Sequence, residues 1–389
     1  MHKRKKALVM LMALLSGIAA AVLITIRQLP DELVVHQSGK AQLNTFLPVS
    51  VEISDCHSDS AKAKILGMVG VKEVGIRTEK PKKVILAGTL FGLRMYSDGV
   101  MVVGLSDFQS GGRSVNPAKD SGISQGEIIR SANGRRIFTN VEFAKAVMNS
   151  NGTLPLELVG KDGHSRSVTI TPMKSDTDDC LKTGMWVRDS AAGIGTLSYI
   201  DPETEEFGGL GHGICDADTH EIIPLHDGEI VSAQISGIKR GVKGSAGEIR
   251  GYLTCDELGT LESNTICGTF GTYTAVPQEQ KTIDVALKQE VRQGKAKLLC
   301  TVDSDGKPKQ YDVVIKRINY GGDPANNMII TVTDQELLKK TGGIIQGMSG
   351  SPLIQDGRFI GAVTHVFVND PTSGYAIFAE NMLQHQTDR

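Results

Sequence analysis

Aromatic side chains are scarce in this chain, at 5% of residues, and tryptophan occurs once, while glycine is abundant at 44 residues. That balance points to a turn-rich β protein. Beyond the first few residues, charge of one sign is nowhere concentrated. Lys+Arg 42 against Asp+Glu 44 leaves a net charge of −2, which argues against nucleic acid as the main partner. Cysteine is also thin. The six residues Cys56, Cys180, Cys215, Cys255, Cys267 and Cys300 are spread too widely for a disulfide scaffold, leaving room at most for an isolated bridge. Cys215 follows His212 closely, with His220 and His226 after it, but no second tight Cys/His pair completes a tetrahedral set. No metal and no cofactor are therefore expected.

The one long apolar run lies at the start. His2-Lys3-Arg4-Lys5-Lys6 precedes Ala7–Ile26, interrupted only by Ser16, Gly17 and Thr25. Roughly twenty residues in a helix cover about 30 Å, enough to cross a bilayer. The basic cluster should stay cytoplasmic and leave the rest of the chain outside. Ala19-Ala20-Ala21 offers small residues to a signal peptidase, but the apolar run continues past it, which favours an uncleaved signal anchor over residues 1–27.

With 389 residues the chain has room for two or three domains. Residues 28–79 carry short strand-like segments such as Val49-Ser50-Val51-Glu52-Ile53 and no chemistry, and read as a spacer or small β extension. Residues 80–174 hold together as a unit. In it Asn116-Pro117-Ala118-Lys119-Asp120-Ser121-Gly122-Ile123 is followed by Gln125-Gly126-Glu127-Ile128-Ile129, an Asn133-Gly134 turn, a helical pattern from Asn140 to Met148, and alternating strands around Leu154-Leu156-Leu158 and Val168-Ile170. This progression resembles a PDZ domain, departing from it at Ser121. The resemblance implies recognition of a peptide or protein by strand addition, with Phe91-Gly92-Leu93 as an approximate carboxylate-binding loop. From Cys180 onward, short strands and glycine-rich turns suggest a barrel or sandwich over residues 180–389.

The chemistry concentrates in Gly347-Met348-Ser349-Gly350-Ser351-Pro352. A serine on a glycine-rich turn can expose its hydroxyl while neighbouring N–H groups converge on one oxyanion position. A serine hydroxyl needs a positioned base, and His212, between Gly211 and Gly213, is the best placed histidine. The base needs a carboxylate, for which Asp216, Asp218, Asp227, Asp334 and Asp370 are candidates. Asp334 ends an apolar strand before Gln335-Glu336-Leu337-Leu338-Lys339-Lys340, where it would equally well cap a helix. Spacing does not choose between it and Asp227. An α/β-hydrolase is argued against by the missing βα alternation and the missing G-x-S-x-G elbow.

After the serine, an Asp356-Gly357 hairpin and Gly374-Tyr375-Ala376-Ile377 resemble the end of trypsin-like proteases of the HtrA branch, whose fold is a pair of six-stranded β-barrels. The order His, Asp, Ser agrees with that clan, although Asp334 stands nearer the serine than the clan's acid usually does. Gly193-Ile194-Gly195-Thr196-Leu197, Gly211-His212-Gly213-Ile214, Gln346 to Pro352 and Gly361 to Pro371, behind an anchor and a PDZ-like unit, resemble the SpoIVB family of sporulation serine peptidases. That resemblance places the triad on His212, Asp334 and Ser349. By analogy with the clan, the oxyanion hole falls on the N–H groups of Gly347 and Ser349. It also implies a site of action between the two forespore membranes, cleavage of a membrane-bound inhibitor of an intramembrane protease so that a late sigma factor is released, and self-processing near the N-terminus. A PDZ adaptor with an inactive protease-like domain is the alternative, opposed by the intact His212 and Ser349.

Overall fold

The computed structural model describes residues 2–53, 59–274 and 281–387; Cys56 lies outside them. The remaining five cysteines are unpaired, two of them buried. The first element is helix α1 (His2–Gln28), whose stretch Leu8–Gln28 has a mean hydropathy of 2.6 and is almost wholly exposed. Its last turn is anchored to the protein: Thr25 Oγ1 accepts from the Leu47 N–H at 3.1 Å and Gln28 Oε1 accepts from the Phe46 N–H at 2.6 Å. A five-stranded sheet spanning Glu32 to Thr78 follows. Its inward residues, including Leu33, Leu43, Val51 and Val74, share one apolar core with the C-terminal part of the chain. The segment expected to be a spacer or small β extension is thus a sheet packed against the rest of the protein.

Two rings of six antiparallel strands make up the main body. The first is built from β1 (Leu90–Leu105), β2 (Met185–Ile200), β3 (Glu206–Gly209), β4 (Leu225–Lys239), β5 (Glu248–Thr265) and β6 (Gly268–Tyr273). Strand pairing runs β1-β4-β5-β6-β3-β2, and β2 pairs back to β1, closing the circuit. Phe91, Leu93, Met95, Leu197, Phe207, Ile230 and Leu261 fill it. The second is a closed barrel of β7 (Gly294–Cys300), β8 (Lys309–Ile318), β9 (Met328–Val332), β10 (Pro352–Gln355), β11 (Arg358–Phe367) and β12 (Asp370–Phe378). Closure leaves neither ring a free edge to aggregate through. Tyr199, Phe270, Phe359, Ile377 and Met382 form a separate apolar cluster across the barrels and the C-terminal helix.

A smaller unit is inserted between β1 and β2. Its strands Ile128–Ala132, Leu154–Val159 and Ser165–Ile170 extend the first sheet outward from the second half of β1, with Ile129 opposite Val100. The unit's helix α2 (Asn140–Met148) starts at a capping box in which Thr139 Oγ1 accepts from the Glu142 N–H and Glu142 accepts from the Thr139 N–H. It buries Phe143 and Val147 in a core with Val100, Ile129 and Leu156. The boundary expected at residue 80 is displaced by this arrangement. Residues 90–96 pair with 190–196 of β2, and residues 91–97 with 225–232 of β4, so they belong to the first barrel. Phe91-Gly92-Leu93, expected to form a carboxylate-binding loop, instead lies within the first part of strand β1 with both edges paired and with Phe91 and Leu93 buried. A local motif reading could not anticipate this, because the partner strand comes much later in the chain.

Candidate active site

Ser349 sits on the turn between α3 (Gln335–Thr341) and β10, at the junction of the barrels. Gly347 and Gly350 have φ of 97° and 93°, and a Cβ on Gly350 would stand 2.0 Å from the Thr196 carbonyl oxygen, so only glycine fits there. The turn belongs to the second barrel but is held by β2 of the first. The Thr196 N–H donates to the Ser349 carbonyl at 2.9 Å, Thr196 Oγ1 to that of Gly347 at 2.8 Å, and Ser198 Oγ to that of Gly350 at 2.7 Å. Met348, fully buried, fixes the turn from below. Among the described residues, neither the Gly347 nor the Ser349 N–H donates to a protein acceptor.

His212 follows β3 through Leu210 and Gly211, both at positive φ, which reverses the backbone and swings the ring to the cavity wall. A cavity of about 630 Å³ is lined by both Ser349 and His212. The two share no hydrogen bond. Ser349 Oγ donates to the Thr364 carbonyl at 2.7 Å, and His212 Nδ1 meets the Gly213 carbonyl at 2.9 Å. A carbonyl only accepts, so Nδ1 carries the proton and Nε2 is left as the base. Burial first, and then the neighbouring His365, push the His212 pKa down to about 4, so the ring is neutral near pH 7.

Asp334 is not in this cavity, which corrects the expected triad. Its Oδ1 accepts from the Glu336 and Leu337 N–H groups at 3.0 and 3.1 Å and its Oδ2 from the Asp312 N–H at 3.3 Å, as the cap of α3. The other acids are engaged elsewhere too. Arg188 holds Asp216 and Asp218, Asp227 accepts from the Gly228 N–H, and Asp370 accepts from Thr372. None of the five lines the cavity.

The sequence reading assigned no role to His365, which the structure places against the base. Its ring centroid is 4.4 Å from that of His212, and Asp323 favours its protonated form against the larger effect of burial. The signal was present in Thr364-His365-Val366, but on a strand and without the flanking glycines of His212, and therefore silent as a catalytic motif. Among the described residues no group of His, Cys, Asp and Glu is arranged to hold a metal.

No curated protein matches the chain. Among solved structures it is similar to Rv3671c protease in an inactive form, at 13% identity and a TM-score of 0.28, over 49% of this chain and 81% of that one. A serine-to-alanine mutant of Rv3671c from M. tuberculosis H37Rv gives 14% identity and the same TM-score, over 50% and 79%. The family model described as SpoIVB peptidase S55 matches residues 179–383, which hold His212, Ser349 and five of the six strands of the first barrel. That match spans just over half of the chain, and the chain belongs to the SpoIVB family of serine peptidases.

Proposed function

We propose that this serine peptidase works from a membrane, with α1 as its anchor and residues 28–389 outside the cytoplasm. Ser349 attacks the scissile carbonyl, His212 Nε2 takes its proton and returns it to the leaving amine, and the Gly347 and Ser349 N–H groups receive the oxyanion. The observation that carries this reading is the meeting of Ser349 and His212 at one cavity, beside two N–H groups that no protein acceptor occupies. Catalysis then needs the Ser349 hydroxyl to turn from Thr364 towards Nε2, a tightening common on substrate binding. Asp334 takes no part beyond capping its helix.

The family resemblance supports a finer reading. The peptidase acts in the space between the forespore membranes, cuts a membrane-bound regulator of an intramembrane protease so that a late sigma factor is activated, and trims itself near its own N-terminus. The inserted unit, PDZ-like in its sequence progression, recruits the protein substrate by strand addition. Full-length protein in membranes tests both levels. A fluorophosphonate should label Ser349, and the N-terminal region should shorten over time unless Ser349 is replaced by alanine. An unlabelled Ser349, or shortening that survives Ser349→Ala, would refute the assignment.

A further inference from the structure

We propose that the cleft beside Ser349 selects an uncharged apolar side chain on the acyl side of the scissile bond. The inference rests on Ser349 being the nucleophile. Its cavity is walled by Ile344 and Ile345, which lead into the nucleophile turn, and by Val366 and Val368, which follow Thr364 on and just beyond β11; Ala192 and Ile194 of β2 add the third side. Among the described residues, no Asp, Glu, Lys or Arg lines it. Its titratable groups are His212, His220, His365 and Cys215, of which the first is held neutral by burial.

An arginine or lysine entering this space would lose its hydration without meeting a carboxylate, and a glutamate would meet no cation. Ile344 lies across Gly374, where a Cβ would stand 2.9 Å from its Cδ1. Ile344 is itself buried among core residues and cannot swing away freely. A valine- or leucine-sized group gains contact with the isoleucines and valines and leaves no polar atom unpaired.

Peptidyl diphenyl phosphonates that differ only in the side chain beside phosphorus test this on the full-length chain, with peptide mapping to confirm labelling at Ser349. Val and Leu probes should label Ser349 about a hundredfold faster than Lys or Glu probes. Equal or faster labelling by Lys or Glu would overturn the inference while leaving the nucleophile in place. A fluorophosphonate with no such side chain reports the nucleophile separately; if it too spares Ser349, the assignment of Ser349 falls and this inference with it. Val366→Asp, and Val368→Asp at a position 52% exposed and tolerant of charge, should each raise the Lys-to-Val rate ratio by about tenfold. An unchanged ratio in a folded variant would show that these valines do not wall the pocket.

Discussion

Asp334 and His212 show how one residue type in one place supports two different readings. Asp before Gln-Glu-Leu-Leu is a good helix cap and, beside a histidine, a good triad acid; only its neighbours in space decide. With its carboxylate spent on three N–H groups, Asp334→Asn should keep the cap and nearly full turnover. Asp334→Ala should cost about 1 kcal/mol of stability, read from the urea midpoint. A fall in kcat near the 10⁴ typical of a lost triad acid in the Asn variant would return Asp334 to the catalytic machinery. Ser349 and His212, by contrast, were legible because each lies where only glycine-rich backbone could bring it to a cleft.

The low pKa of His212 has a sign that experiment can check. The folded protein keeps this ring neutral down to about pH 4, whereas the unfolded chain protonates it near 6.5. The unfolded state thus binds more protons between those values, so the contribution of His212 to stability is lost as pH falls from about 6.5 towards 4. The acid limb of kcat/KM in the free enzyme should correspondingly lie near 4 rather than 6.5. A limb at 6.5 would mean that the ring is solvated in the working enzyme.

At the scale of elements, the segment from Gly211 to Pro224 carries His212 and is braced from several directions. Asn264 ties its base, accepting from the Ile214 N–H and donating to the carbonyls of Ile214 and Ile223, each near 2.9 Å. Its tip is held by Arg188 on β2, which pairs with the buried Asp216 and, at 2.8 Å, with Asp218. The inserted unit adds Gln125 Nε2 to the Asp218 carbonyl at 3.1 Å and Lys161 to Glu221 at 2.9 Å. Such bracing cannot be read from local sequence, since its members come from three distant stretches. Arg188→Ala should lower kcat by roughly ten- to a hundredfold with little change in KM, because small misplacement of a base is costly, and Arg188→Lys should recover part of it. Hydrogen exchange at 214–222 should quicken in step; unchanged exchange with lowered kcat would locate the effect elsewhere.

For the whole molecule, β1 decides what can be removed. A fragment from residue 176 onward contains Ser349 and His212 but lacks β1, which pairs with both β2 and β4. It should therefore fail to fold, with both of those strands left open along one edge. Excising residues 106–184 and joining Leu105 to Met185, which already face each other in register, should keep all six strands and leave a folded peptidase slower on short peptides, for want of the tip bracing. Circular dichroism and limited proteolysis of the two proteins distinguish this from the modular arrangement the sequence suggested; a folded 176–389 fragment would contradict it. Composition and turn signals were enough to foresee a barrel or sandwich, and the resemblance to trypsin-like proteases a pair of barrels, whereas the PDZ-like unit was expected ahead of the protease domain and not within its first barrel. Where one unit stops and another starts was not legible, because a single continuous strand serves both.

That shared strand also orders events in time. Residues 90–96 wait for partners on the order of a hundred residues further along, a separation that makes closure of the first barrel slow. The second half of the same strand meets Ile128 and Ile129 far sooner, within the inserted unit. The inserted unit should thus fold first and hold out the leading half of β1 as a template on which the barrel is later laid down. Until the barrel closes, the exposed edge of that template is the stretch most open to mispairing or to capture by a holdase. Pulse-labelled exchange should find Val100 and Ile129 protected before Phe91 and Ile194, and a reversed order would mean that the barrel assembles around the insert instead of upon it.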